Sequence, residues 1–388
     1  MYKFKCLNNI SDAIYDVLDD SYEKTEELAE ADAVIVRSAK MHDMEFPDRL
    51  QAIVRAGTGV NNIPLKRCAE QGIVVFNAPG ANANSVKEMV VASMIIAMRN
   101  IPSAIQWVKD NAEDPDLAKN IEKGKKKYAG NEIRNKTLGV IGLGAIGGMV
   151  ANTAISLGMN VVGVDPFLSV HNALSLDRNV KVLKTYDELF QQADIITIHL
   201  HLTDETRGMI GQNAIRKMKQ GVIMMNFSRG EVVDEKAMGE ALEKGKVRKY
   251  VTDFADPAVM KMPNVIATPH LGASTAEAED NCAIMAVREL RDYLENGNIL
   301  HSVNYPDCSG GICQTAGRIT VAHHNVPNML SKMMKVIGEE DNVNIAHMTN
   351  QTKGEFAYCM FDLDSPVTEE LAARLRSIDG VIRVRVIK

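Results

Sequence analysis

Thr137-Leu-Gly-Val-Ile-Gly142-Leu-Gly144-Ala-Ile-Gly147 runs an apolar stretch into three glycines spaced Gly-x-Gly-x-x-Gly and then into a helical pattern. With a strand before it and a helix after it, each glycine has a reason. The first permits a tight turn, the second lets backbone approach a pyrophosphate, and the third lets helix and strand pack closely. An anion held there meets the unpaired N–H groups of a helix N-terminus. Asp165 ends the next apolar run, Val161-Val-Gly-Val. It lies about 20 residues on, where a carboxylate accepts ribose hydroxyls and repels a 2′-phosphate. The stretch predicts a dinucleotide site at Gly142, Gly144, Ala145, Ile146, Gly147 and Asp165, with NAD favoured over NADP. The alternative is a glycine turn without a ligand and an aspartate that opens a loop.

Outward from this turn, short apolar runs alternate with helical periods, the signature of parallel sheets covered by helices. Strands are predicted near 33–37, 52–56 and 73–77 upstream. Downstream they are predicted at 137–141, 161–165, 180–183, 195–200, 222–227, 250–254 and 264–268. Residues 109–135, rich in Lys, Gly, Asn and Asp, read as a loop. Ala283, Ala286, Val287, Leu290 and Leu294 mark one amphipathic helix from Ala276 to Leu294, placed to return the chain to its first domain. Turn formers fill 304–315, and 316–388 then reads strand, helix, strand, strand, helix, strand, the pattern of a small βαββαβ sandwich. The predicted fold is α/β. A Rossmann domain (101–279) is inserted in a flavodoxin-like substrate domain (1–100 and 280–303), followed by a linker (304–315) and a ferredoxin-like C-terminal module (316–388).

Composition narrows the class. Hydrophobic residues are 46% and charged residues 24%, which disfavours both disorder and a membrane class. The longest apolar run, Met89 to Met98, is too short to cross a bilayer, and the N-terminus lacks the apolar core of a signal peptide. Cysteines at 6, 68, 282, 308, 313 and 359 are scattered without a CxxC, so neither a disulfide framework nor a metal site is expected. Scattered thiols fit a reducing cytoplasm. A net charge of −6 argues against a nucleic-acid partner.

Three downstream segments end strands, where open parallel sheets place their ligands. Asn226-Phe-Ser-Arg229-Gly offers a guanidinium fork for a carboxylate, or a surface ion pair. Thr268-Pro-His270-Leu-Gly272 offers an imidazole to exchange a hydroxyl proton during hydride transfer, or a structural histidine. Between them, the carboxylates of Val251-Thr-Asp253-Phe-Ala-Asp256 can orient an imidazole.

With Arg55-Ala-Gly57-Thr58-Gly59-Val60 upstream, these motifs in this order resemble the D-isomer-specific 2-hydroxyacid dehydrogenases over nearly the whole chain. The resemblance implies that Arg229 binds the substrate carboxylate, that His270 is the general acid/base and that Asp256 is its partner. It assigns Asp253, His199, His270 and Gly272 to the cofactor, and Arg55 with Gly57, Thr58, Gly59 and Val60 to the substrate. The family usually carries Glu where this chain has Asp256, in a segment two residues longer.

Within that family, Arg55 and the lysines at 123, 125, 126 and 127 suit a phosphate. Lys127 is then a substrate contact, or the cluster is a solvated surface. The resemblance implies oxidation of 3-phospho-D-glycerate to 3-phosphohydroxypyruvate, the opening step of serine synthesis. The alternatives are another hydroxy acid (glyoxylate, hydroxypyruvate, lactate or 2-oxoglutarate) or an NADH-sensing binding protein. The C-terminal module resembles an ACT regulatory domain, through His323-His-Asn325-Val-Pro327 and Asn342-Val-Asn344-Ile-Ala. Its relatives bind L-serine across a domain pair with residues matching His323, Asn325 and Asn344. Assembly as a homodimer or homotetramer is expected.

Overall fold

β1 (Tyr2–Cys6), β2 (Tyr22–Lys24), β3 (Ala33–Val36), β4 (Ala52–Arg55) and β5 (Val74–Phe76) form a parallel sheet in the order β2-β1-β3-β4-β5. All four residues of β3 are buried, as expected of a strand covered on both faces. The structure is a computed structural model that describes residues 1–340 and 343–388. Its chain divides into two compact units, Met1–Asn82 with Ala276–Lys388, and Ala83–Thr275. The order of the first sheet is that of flavodoxin-like folds. Helix Ala276–Asn296 lies on it, burying Ala283, Ala286, Val287, Leu290 and Leu294 in one cluster with Ile35, Val54 and Phe76.

The second unit holds β6 (Thr137–Ile141), β7 (Asn160–Val164), β8 (Lys181–Val182), β9 (Ile195–Ile198), β10 (Val222–Asn226), β11 (Val247–Thr252) and β12 (Val265–Ala267). They are all parallel, in the order β12-β11-β10-β9-β6-β7-β8. The order reverses between β6 and β9, which opens a crevice beyond their carboxyl ends, the place where doubly wound sheets bind dinucleotides.

Two boundaries differ from expectation. Helix Ala83–Arg99 lies in the second unit instead of the substrate domain. Its Val90, Met94 and Ala97 bury against Leu138, Val140, Ile223 and Val251, so packing overrides its position in the chain. The expected loop at 109–135 contains the end of helix Ile101–Asp110, helix Leu117–Gly124 and a 3-10 turn, Lys125–Tyr128. Polar composition masked a helical stripe whose Trp107 ring packs over Gly124 and lies 6.2 Å from Tyr128. Among the described residues, no single helix is long and apolar enough to cross a membrane.

β13 (Gly317–His324), β14 (Ile345–Lys353), β15 (Phe356–Leu363) and β16 (Val381–Val386) form an antiparallel sheet, β14-β15-β13-β16, with helices Met329–Met334 and Glu369–Arg376. The segment before it is docked at several points, not a free linker. The Asn304 side chain bonds Val75 and Ile73 along β5, and the Tyr305 hydroxyl reaches the Ala69 carbonyl. Arg318, fully buried, pairs with Asp362 and donates to the carbonyls of Gly310 and Gly311. A buried guanidinium needs every such acceptor, so these bonds hold the segment against the module. From β16, Arg383 donates to the carbonyls of Leu50, Asp48 and Gln71, and Arg385 covers the Tyr293 ring at 4.1 Å.

Candidate active site

β6 delivers Gly142 into the crevice with φ of 87°, a left-handed conformation that glycine adopts without strain. A Cβ at Gly142 would overlap the His199 carbonyl, and one at Gly147 would overlap the Gly142 carbonyl, so both positions need a bare backbone. Gly144 differs, because nothing lies within 4 Å of a Cβ built there. That open space beside the N-terminus of helix Ala145–Ser156, which carries Ala145 and Ile146 in its first turn, is the cradle a pyrophosphate requires. Asp165 accepts the Leu143 amide through Oδ2 and the Phe167 amide through Oδ1, which fixes the carboxylate at the end of β7. Pro166, Phe167 and Leu168 follow it, with no cation to balance a 2′-phosphate. On the facing strand end, the His199 amide bonds the Ile141 carbonyl and its Nε2 meets Thr197 at 3.0 Å. Burial pushes the His199 ring down to about 3, so it is neutral.

Downstream of β11 and β12, Asp253 organises the site. It is 2% exposed. Its Oδ2 accepts the Gly272 amide at 3.0 Å, and its carbonyl accepts the His270 amide at 2.8 Å. Oδ1 is buried with no partner. An orphaned acceptor costs about 1–3 kcal/mol, and a carboxamide N–H₂ of a nicotinamide would satisfy it. The residues therefore fit NAD at both the pyrophosphate and the nicotinamide. Burial raises the Asp253 carboxyl, while the Gly272 amide, His270 and Arg229 each oppose that rise, so both side chains lie within its field.

His270 has φ of 44°, uncommon for a side chain with a Cβ. Its exposed ring lies 4.9 Å from Phe254, whose Cβ in turn packs on Gly230. Arg229 stands at the end of β10 on a turn built by fully buried Asn226, which accepts the Ser228 amide and donates to the Arg229 carbonyl. One guanidinium nitrogen donates to the Ser228 carbonyl. Arg229 and His270 thus flank Asp253 and Phe254 within one unit.

Asp256 does not join them. Its Oδ1 accepts the amides of Ala258 and Val259, and it hydrogen-bonds Glu235. Those amides hold its carboxyl below the usual range, while burial and the bond to Asp256 raise Glu235. The expected pairing of Asp256 with His270 is absent from this structure, because the short segment turns the carboxylate onto its own backbone. Sequence reading also missed Ser85, whose buried hydroxyl holds the Gly272 carbonyl at 2.9 Å, and Phe254 under His270. Neither carries a motif signal; only packing reveals them.

In the first unit, β4 leads into Arg55 and the loop Gly57–Val60. Arg55 donates to the Arg37 carbonyl and folds its guanidinium over Gly57, where a Cβ would lie 2.9 Å from it. Asn77 donates to the Thr58 carbonyl and the Ala78 amide to the Gly57 carbonyl. The amides of Thr58, Gly59 and Val60 have no acceptor among the described residues, which leaves a run of N–H groups for an anion. Lys127 is exposed on the turn Lys125–Tyr128 of the second unit.

The expected regulatory residues do not converge within one chain. His323 is buried, with Nδ1 on the His324 carbonyl and Nε2 on Asn350, and Asn325 donates to the Gly354 carbonyl. Asn344 bonds Asp364 instead. His323 pairs with Ala357 and Ile345 with Leu363, which places Asn344 at the far end of β15, about 20 Å away at roughly 3.3 Å per residue. Asn342 lies outside the described residues.

Residues 91–272 match the family described as D-isomer specific 2-hydroxyacid dehydrogenase, NAD binding domain. The D-3-phosphoglycerate dehydrogenase of Haemophilus influenzae is 34% identical over 358 residues, covering 89% of this chain and 83% of that protein. Its Methanocaldococcus jannaschii namesake is 37% identical over 294 residues, and the match spans only 54% of its length. NAD+-bound 3-phosphoglycerate dehydrogenase from Entamoeba histolytica superposes with a TM-score of 0.63 at 29% identity, over 78% of this chain and 98% of that one. These matches and the geometry agree on cofactor and chemistry: the chain belongs to the D-isomer specific 2-hydroxyacid dehydrogenase family and uses NAD.

Proposed function

We propose that the protein oxidises 3-phospho-D-glycerate to 3-phosphohydroxypyruvate with NAD, the first step of serine synthesis. The observation that carries this reading is the relationship to the Haemophilus influenzae enzyme across 89% of the chain. NAD, when bound, supplies the two-electron acceptor. Arg229 pairs with the substrate carboxylate and withdraws charge from the C2 oxygen, since a guanidinium binds carboxylates through a fork. His270 takes the C2 hydroxyl proton as the C2 hydride departs, and returns it in reverse. Arg55 and the amides of Thr58 to Val60 supply positive potential for the anionic ends of the substrate, with Lys127 a further candidate for the phosphate. NADH formation from 3-phosphoglycerate, compared with unphosphorylated 2-hydroxy acids, tests the assignment. Equal kcat/KM for both classes sinks the phosphate claim, and unchanged turnover by His270→Ala sinks the enzyme reading in favour of an NADH-sensing protein.

The βαββαβ order with β14 at one edge and β16 at the other supports an ACT reading of the module. Serine control would take His323 and Asn325 from one copy and Asn344 from a second, because one chain holds them apart. An unchanged rate at millimolar serine removes it, and light scattering that returns a monomer mass removes the assembly it needs. The six cysteines are free thiols, in keeping with a cytoplasmic site of action.

A further inference from the structure

A cavity of about 580 Å³ opens where the C-terminal module meets the first sheet, lined in part by Asn77, His301, Ser302, Asp307, Gln351 and Lys353. None of these residues has a part in the hydride-transfer chemistry. Lys353 is fixed there by one bond to the Ser302 carbonyl at 2.8 Å, which leaves two of its three N–H groups for a ligand. His301 is fixed from behind. Its Nδ1 meets Glu289 Oε1 at 2.7 Å, and the Glu289 side chain, on helix Ala276–Asn296, is only 9% exposed. The other ring nitrogen has no partner among the described residues. The second Glu289 oxygen is buried and unpartnered. Burial pushes that carboxyl up to about 7, opposed by His301 and reinforced by Asp307. With Glu289 protonated, its O–H donates to Nδ1 and the ring N–H sits on Nε2, which makes His301 an oriented donor.

Another wall is Asn77, whose side chain donates to the Thr58 carbonyl at 2.6 Å, next to the bond from Ala78 to Gly57. This wall therefore holds the run of unpaired amides offered to the substrate. We propose that the cavity is an effector site for a small anion, a carboxylate or a phosphate, held by Lys353 and His301 and coupled through Asn77 to the substrate loop. The kinetic consequence rests on the dehydrogenase reading, whereas binding itself does not.

Calorimetric titration of the full chain with inorganic phosphate, and separately with malonate, tests it. Two variants leave Arg55, Arg229 and His270 in place. Lys353→Met removes the cation, and Gln351→Glu adds a repelling charge while keeping the bond from Lys353 to Ser302. Wild type is expected to bind one more equivalent of anion than either variant, or to bind it about fivefold more tightly, as one added charge in a partly solvated cleft dictates. The anion should shift KM for the hydroxy acid in wild type at unchanged kcat, and in neither variant. Identical isotherms for wild type and Gln351→Glu overturn the site. A difference in binding without any turnover by any protein overturns the reaction assignment and leaves the site standing. The anion that gives the larger difference identifies the ligand class.

Discussion

The Oδ2 of Asp253 accepts the Gly272 amide at 3.0 Å while its Oδ1 stays buried and unpartnered. One oxygen builds the loop that carries His270, and the other waits for a donor. Asp253→Ala should weaken NADH binding roughly 10- to 100-fold, the range for losing a buried charge-assisted bond, with a smaller fall in thermal stability. Fluorescence titration of NADH checks this, and an unchanged Kd would remove Asp253 from the cofactor site.

His270 invites a cleaner substitution than alanine. Its φ of 44° suits Asn, which tolerates the left-handed region. His270→Asn keeps the backbone and should lower kcat about 10²- to 10⁴-fold, the usual contribution of a general acid/base, with a far smaller effect on KM for NAD. Arg229→Lys should raise KM for the hydroxy acid by losing the fork. Steady-state kinetics on both substrates separates the two roles.

Two glycines of the dinucleotide turn should fail differently. Gly147→Ala drives a methyl into the Gly142 carbonyl and should lower stability by about 1–3 kcal/mol. A Cβ at Gly144 has no protein atom within 4 Å, so Gly144→Val should fold as wild type yet lose NAD binding. Denaturant melts and cofactor titration, run on both, read the contrast.

Asp256→Asn should leave kcat within about twofold, since the carboxylate caps its own turn and faces Glu235. Stability should change by less than about 0.5 kcal/mol, since an amide oxygen caps a turn about as well as a carboxylate. A kcat loss near that of His270→Asn would mean that the carboxylate reaches the imidazole during turnover.

Glu289 carries a pH signature. Burial raises its carboxyl from 4.5 to about 7 in the folded chain, so folding favours the protonated form. The associated stability is fully present below the unfolded pKa and is lost as pH rises through the folded one, by up to about 3 kcal/mol. Thermal melts of wild type should therefore decline from pH 5 to 8 relative to Glu289→Gln. Parallel curves would show that burial does not raise the Glu289 carboxyl.

Much of the molecule was legible along the chain. Glycine spacing, an acid ending the next strand and short apolar runs determine two parallel sheets and an NAD turn, because those features depend on local backbone freedom and on a period of two or 3.6 residues. The positions of Arg229, His270 and Asp253 at strand ends follow from the same pattern. Tertiary structure alone decided the rest. It moved helix Ala83–Arg99 to the second unit, turned Asp256 onto its own backbone, left one Asp253 oxygen unpaired and set Asn344 at the far end of its sheet from His323. Each of those outcomes depends on which groups lose water together when distant segments pack, a quantity that no local stretch of sequence contains.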